Sequence, residues 1–261
     1  MKLSSANINV IVKACRKASK TLIRDFGEIE KLQVSLKGPG DFVTVSDKKV
    51  EKILIEELQK ARPNYSVLSE EIGEIKNDEE FKWIIDPIDG TANFLHGIPH
   101  FAISIGLEQN GEIICGIIFD PIKDEMFTAE KGNGSYLNNQ RMRVSSRSKL
   151  KDCIFFTGGP KYDSKDKELI LKEYKKFSSE SLIPIRKMGS ASLDMAYVAA
   201  GRCDGFWQRD LNYWDIAAGI ILVKESGGYV TDFNGENEYL KNKTLIAANS
   251  KINNEMIEVL R

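Results

Sequence analysis

The chain has 261 residues, 42% hydrophobic and 29% charged, with only 7 Pro; that is enough to build one or two packed cores, and it excludes both a small stapled module and a disordered segment. Lys and Arg total 37 against 38 Asp and Glu, a formal charge of -1, so no global field draws it to nucleic acid or to an anionic membrane. Cys15, Cys115, Cys153 and Cys203 form no C-x-x-C pair, which argues against a structural zinc site or a disulfide framework and fits a reducing compartment.

Ile8, Ile11, Cys15, Ala18, Leu22 and Phe26 recur three and four apart, and Lys13, Arg16, Lys17 and Lys20 interrupt them. The stretch therefore reads as an amphipathic helix and not as a signal segment. No apolar run approaches the ~18 residues that span a bilayer, so a cytoplasmic protein without membrane partners is expected. A second helix is expected from about residue 46 to 61, with Val50, Ile53, Leu54 and Leu58 on its apolar side and Pro63-Asn64 ending it. Tyr65–Leu68 reads as a short strand closing on Ser69-Glu70-Glu71, and 73–82 as an exposed acidic connection. Trp83-Ile84-Ile85 reads as a buried strand running into a turn, Asp86-Pro87-Ile88-Asp89-Gly90-Thr91.

Phe101–Leu107, Glu112–Phe119, Glu125–Ala129 and Ser135–Val144 then read as strands, separated or interrupted by Asn110-Gly111, Asn133-Gly134 and Asn138-Asn139. Turns this closely spaced predict an antiparallel meander. The second half alternates: strand 153–157, helix 166–178, strand 182–186, helix 190–200, strand 204–207, helix 214–226, strands 228–232 and 244–248, and helix 250–260. That is an α/β layered pattern. A soft boundary at 145–152 divides the chain into residues 1–147, with the antiparallel sheet, and 148–261, with the α/β part, packed around a shared cleft.

The chemistry concentrates where the buried strand delivers Asp86 and Asp89 three residues apart. Pro87 restricts φ, and Gly90 permits an unusual backbone angle and close ligand approach. Two carboxylates so close repel each other unless a cation lies between them. Oxygen donors without nearby Cys or His ligands select a hard ion, Mg²⁺ before Zn²⁺. The N–H groups of Gly90 and Thr91 and the threonine hydroxyl are donors suited to a phosphate oxygen. The same hexapeptide is also good turn chemistry. Glu70-Glu71 suits a solvated loop as well as a site, and Asp215, before the apolar Ile216-Ala217, also suits a helix N-cap. Asp47 stands at capping-box spacing from Thr44. His96 and His100 flank Pro99 just beyond the turn and read as structural or cleft-lining rather than catalytic.

Together these segments resemble the inositol monophosphatase family of lithium-sensitive, Mg²⁺-dependent phosphatases. The matching residues are Asp41-Phe42-Val43-Thr44 with Asp47, Glu70-Glu71, Trp83 to Phe94, Gly189-Ser190-Ala191 with Leu193-Asp194, Trp214 to Gly219, and Glu225-Ser226-Gly227-Gly228. The resemblance covers nearly the whole chain. It implies a layered α-β-α-β-α sandwich, a homodimer, and two to three Mg²⁺ ions per active site. Glu70, Asp86 and the Ile88 carbonyl are the implied ligands of one ion, Asp86, Asp89 and Asp215 of a second, and Glu70 through waters of a third. Glu70 and Thr91 are implied to orient the attacking water, with Asp47 bonded to Thr91, while Gly90 and Thr91 bind phosphate. Ala191 and Asp89 are implied to meet the substrate's ring and hydroxyl.

In typical members a glutamate seven residues before the Trp-Asp aspartate binds an inositol hydroxyl; here Gln208 stands there. Gln still accepts a hydrogen bond but lacks the charge that strengthens it. The expected substrate is a small phosphorylated polyol, inositol 1-phosphate foremost, with histidinol phosphate, sugar phosphates and nucleotide 3′-phosphates as alternatives. No extended insertion covers a nucleotide base. Arg186-Lys187 and Arg209 keep a second phosphate in question. Lys131 to Asn139 resembles the bacterial branch, some of whose members bind transcription and ribosomal-RNA antitermination machinery; such a partner role is the alternative from another class.

Overall fold

The computed structural model describes residues 5–29, 34–38, 41–77, 80–160, 165–180, 182 and 184–261, with backbone alone at 34–38 and 41–44. The first helix, α1 (Ala6–Phe26), starts where the Ser5 hydroxyl accepts the Ile8 N–H at 3.2 Å, and it buries the three-and-four stripe expected of it except Phe26, which is half-buried. A hairpin that the sequence pattern did not announce, β1 (Val34–Gly38) and β2 (Asp41–Thr44), leads into α2 (Val45–Ala61). Thr44's side chain lies outside the described residues, and with it the capping-box reading of Thr44.

Next come β3 (Ser66–Ser69), β4 (Gly73–Ile75), β5 (Phe81–Asp89), a one-turn helix α3 (Thr91–Leu95), β6 (Ala102–Gln109), β7 (Glu112–Asp120), β8 (Glu125–Glu130), β9 (Gly134–Leu137) and β10 (Gln140–Arg141). Among the described residues, the strands make an eight-stranded sheet in the order β10-β9-β8-β7-β6-β5-β3-β4. From β5 to β10 it is the antiparallel meander that the turn spacing predicts. The β3–β5 pair is parallel, with Leu68 opposite Ile84 and Ser69 opposite Ile85. Both strands therefore end on the same edge of the sheet, and this is what carries Glu70 beside Asp86.

A single turn of 3-10 helix (Leu150–Asp152) precedes β11 (Phe155–Thr157), α4 (Lys167–Glu180), α5 (Ala191–Ala199), β12 (Gly205–Arg209), α6 (Tyr213–Glu225), β13 (Tyr229–Thr231), α7 (Tyr239–Asn242), β14 (Thr244–Ala248) and α8 (Ser250–Leu260). Their strands form a four-stranded sheet, β11-β12-β14-β13. Helices and sheets stack as α-β-α-β-α. Trp83 and Ile85 of β5 face α1 and α2, packing with Ile11, Leu22, Leu54 and Leu58. Ile84, one residue out of phase, faces the middle layer with Leu193, Ile216 and Ile220, as strand alternation requires. On the far side Phe177 of α4 stacks on Trp207 of β12 at a centroid distance of 4.1 Å, and Ile252 and Met256 of α8 complete that core.

Small residues set how closely α6 lies on the large sheet. A Cβ on Gly116 of β7 would come within 2.9 Å of Ala218 Cα, and one on Gly219 within 2.6 Å of Met195 Sδ on α5. That approach brings the start of α6, and Asp215, down to the β5 edge.

Three expectations are corrected. The connection at 73–82 contains β4, an edge strand with a single apolar residue, Ile75, and so too little periodicity to announce itself. The strand expected at 182–186 is a lone bridge between Arg186 and Phe156, because Pro184 has no N–H to give a ladder; residues 181 and 183 lie outside the described residues. The strand expected at 135–144 stops at Arg141 and is split by Asn138 and Asn139, whose φ of 45° and 71° turn the chain.

Candidate active site

Asp86 and Asp89 do not sit in a free turn: both belong to β5, at its end. In an unbroken strand, residues three apart point to opposite faces. Here the register against β6 runs from Asp86–Ser104 to Asp89–Ala102, so three steps on one strand match two on the other. This bulge inserts one extra residue, which returns both carboxylates to the face of the sheet that meets α5 and α6. Ile88 between them points the other way, into the α1–α2 core.

Each acid reaches the site from a different element. Asp86 is 2% exposed, and its Oδ1 accepts the Ile88 N–H at 3.0 Å. Asp89 Oδ2 accepts the Ser190 hydroxyl at 2.6 Å, the Ser192 N–H at 2.7 Å and the Ser192 hydroxyl at 2.5 Å, which pins the start of α5 to the end of β5. Glu70 follows β3, with its N–H donating to the Ile85 carbonyl at 3.3 Å. Asp47 is buried in the first turn of α2. Asp215 Oδ2 accepts the Asn212 N–H at 2.7 Å; Asn212 is the N-cap of α6 and Asp215 its third helical residue, which corrects the reading of Asp215 as the cap itself.

Burial, followed by the charges of Glu70, Asp89, Asp215 and Asp47, pushes the Asp86 carboxyl well above the usual carboxylate range. The other four predicted acids thus all lie within electrostatic reach of Asp86. Burial also raises Asp89, against the lowering effect of its hydrogen bonds from Ser190 and Ser192. A cleft of about 280 Å³ opens over them, lined by Glu70, Asp89, Gly90, Thr91, Ala191, Gln208 and Asp215 among others, and no described lining residue is Lys or Arg. Several carboxylates brought together by burial, with no Lys or Arg among the described lining residues, are a donor set that fits hard divalent cations.

The side chains are not already arranged around an ion: among the described residues no three His, Cys, Asp or Glu converge in a ligating group. The hydrogen bonds above explain this. Asp215 is turned to its own helix cap, Asp89 to the two serines and Asp86 to the Ile88 N–H.

The turn itself is built for close approach. Gly90 has φ 94°, and a Cβ there would stand 3.0 Å from the His100 carbonyl oxygen and 3.3 Å from that of Gly189. The Thr91 hydroxyl donates to the Ile88 carbonyl at 2.8 Å, whose second lone pair remains for another partner. His96 is exposed and His100 buried, the latter held by burial at about 4, and neither lines the cleft. The basic residues in question are engaged elsewhere. Arg209 pairs with Glu173 at 2.7 Å, Lys187 lies over the Tyr174 ring, and Arg186 bonds the Pro184 carbonyl.

Sequence reasoning gave no role to several residues that line or build this site. Ser190 and Ser192 hold Asp89. Asp194 lines the cleft, 1% exposed, its carboxyl raised well above the usual range by burial and by Asp89. Gly158 lies under Gln208, where a Cβ would sit 2.3 Å from the amide. The Ser-x-Ser spacing at a helix start was the one available signal, and it reads equally well as simple capping.

The sequence profile described as the inositol monophosphatase family matches residues 5–261. The chain is 51% identical to "Inositol-1-monophosphatase" of Rhizobium meliloti (strain 1021), across 98% of this chain and 97% of the relative. It is 38% identical to "Nus factor SuhB" of Escherichia coli (strain K12), across 97% and 95%. The crystal structure of the "extragenic suppressor protein suhB" from Bartonella henselae superposes with a TM-score of 0.95 at 49% identity, covering 98% of this chain and 99% of that one.

Proposed function

The chain belongs to the inositol monophosphatase family, and from that premise we propose that it hydrolyses inositol 1-phosphate to inositol and phosphate with Mg²⁺, two to three ions per site. One observation carries the reading most: a cleft of about 280 Å³ whose described lining holds Glu70, Asp89 and Asp215 and no basic side chain. Those carboxylates repel a phosphate dianion unless cations lie between them. Glu70, Asp86, Asp89, Asp215 and the Ile88 carbonyl are the proposed ligands. Bound Mg²⁺ supplies charge neutralisation for the phosphoryl oxygens and an acidified water.

The protein's own part is positioning, which phosphoryl transfer needs more than covalent help. Gly90 and Thr91 bind the phosphate through N–H and hydroxyl groups. Glu70 and Thr91 orient the water, and Asp47 takes the Thr91 hydroxyl once it turns from the Ile88 carbonyl that it bonds in this structure. Ala191, Asp89 and Gln208 meet the polyol, Gln208 from the far wall of the cleft. In this reading the cleft lies between residues 1–147, which bring the acids on β3 and β5, and 148–261, which bring the polyol side. Inhibition by lithium, homodimers and a cytoplasmic location go with it; all four cysteines being free, buried thiols fits that compartment.

The test is phosphate release with and without Mg²⁺ across inositol 1-phosphate, histidinol phosphate, fructose 1,6-bisphosphate and adenosine 3′,5′-bisphosphate. Mg²⁺-dependent preference for the first is expected. Preference for another ester corrects the substrate, and no release from any sinks the reading. Relatives named "Nus factor SuhB" favour a second reading, docking to transcription machinery. It predicts a cellular phenotype that survives in Asp86→Asn, where turnover is lost.

A further inference from the structure

Asn93 is part of the motif after the phosphate turn, yet it does not line the cleft. It stands in α3, and both hydrogens of its side-chain amide are used. Nδ2 donates to the His100 carbonyl at 2.7 Å and to the Met188 carbonyl, 95 positions away, at 2.8 Å. Met188 opens the segment Gly189-Ser190-Ala191, which forms the opposite wall of the cleft. The fit is tight where Gly189 meets the amide and where Gly90 meets Gly189. A Cβ on Gly189, whose φ is 87°, would stand 2.9 Å from Asn93 Nδ2, and one on Gly90 would stand 3.3 Å from the Gly189 carbonyl oxygen. Two backbone segments that each need glycine thus lie against one another beside the amide that bonds the second of them.

We propose that Asn93 is the positioning residue that sets the distance between the phosphate side of the cleft, Gly90-Thr91, and the polyol side, Gly189-Ser190-Ala191. This rests on the function proposed above and goes beyond it, because it assigns discrimination between esters to a residue that touches neither half of the substrate. The chemistry of the side chain is specific. An amide supplies two N–H donors to two carbonyls. A carboxylate of the same shape supplies none and faces two acceptors, and a hydroxyl supplies one. A second tie between the walls, Asp89 to Ser190 and Ser192, anchors the start of α5, whereas the Asn93 bond is made one turn earlier, at Met188. A small displacement there moves the polyol relative to the phosphate, and misplacement of about 1 Å can cost roughly 100-fold in rate.

The experiment compares kcat/KM for inositol 1-phosphate with that for p-nitrophenyl phosphate, which has a phosphate but no polyol, in wild type, Asn93→Ala and Asn93→Ser. The expected result is a fall of about tenfold or more in the ratio for Asn93→Ala and an intermediate fall for Asn93→Ser, with the inhibition constant of inorganic phosphate within about threefold of wild type. A parallel loss on both substrates, or an unchanged ratio, overturns the proposal. If wild type shows no preference for inositol 1-phosphate, the functional reading fails first, and hydrogen exchange then decides. Faster exchange of the Gly189 to Leu193 amides in Asn93→Ser, with α6 amides unchanged, supports the tie; unchanged exchange at Gly189 to Leu193 overturns it.

Discussion

Asp89 has two duties that substitution can separate. Its Oδ2 accepts three hydrogen bonds from Ser190 and Ser192, and its charge is one of those that raise Asp86. A hydrogen bond to an ionised acceptor is worth roughly 1.5–3 kcal/mol, and the two serine hydroxyls can rotate to other partners while the Ser192 N–H cannot. Asp89→Ala should therefore cost about 3 kcal/mol, a fall in Tm of roughly 6–12 °C for a chain of this length. Asp89→Asn keeps an acceptor oxygen and removes a charge that burial already disfavours, so it should melt within about 1 kcal/mol of wild type. Turnover should fall by about 100-fold or more in both, the scale of losing one preorganised electrostatic group. Thermal unfolding in chelator, repeated with Mg²⁺, supplies the control. At a concentration 100 times its dissociation constant a ligand adds about 2.7 kcal/mol, and Asp89→Asn should lose most of that gain. Equal melting of the two variants would refute the anchoring role; full activity in Asp89→Asn would refute the metal role.

Three further outcomes follow from the geometry. Gly90→Ala should destabilise by about 1–3 kcal/mol in urea unfolding, since the left-handed conformation costs a Cβ roughly 1–2 kcal/mol and the His100 carbonyl lies 3.0 Å from it; phosphate release should fall further than stability. Burial, and the Lys123 charge against that of Asp120, hold His100 at about 4 rather than 6.5. The unfolded chain therefore takes up the proton first, and stability present above pH 6.5 is lost as pH falls toward 4. The loss is roughly 3 kcal/mol, and His100→Gln should flatten the unfolding free energy over that window. Glu51, 1% exposed on α2, accepts the Ser69 hydroxyl and the N–H groups of Glu71 at 3.0 Å and Ile72 at 3.4 Å, on either side of Glu70. Glu51→Ala should cost about 2–4 kcal/mol and raise the Mg²⁺ concentration for half-maximal activity; Glu51→Gln, retaining an acceptor oxygen, should restore most of both.

The sequence by itself determined the chemistry and most of the elements. Asp86, Asp89, Gly90 and Thr91 are contiguous, so their carboxylates, glycine and hydroxyl declare themselves together. The helices α1, α2, α6 and α8 follow from local periodicity, and the meander from its Asn-Gly turns. What it did not determine was where these pieces meet. The parallel pairing of β3 with β5, the bulge that turns Asp86 and Asp89 to one face, and the glycines that seat α6 against the sheet each depend on packing between residues distant in the chain. The ties from Asp89 to Ser190 and Ser192, from Asn93 to Met188 and from Glu51 to the Glu70 turn are of the same kind. Local sequence records the interactions a residue makes with its neighbours in the chain. Register and layer packing are set by burial of the whole core, and only the tertiary structure shows which carbonyl or carboxylate then falls within reach.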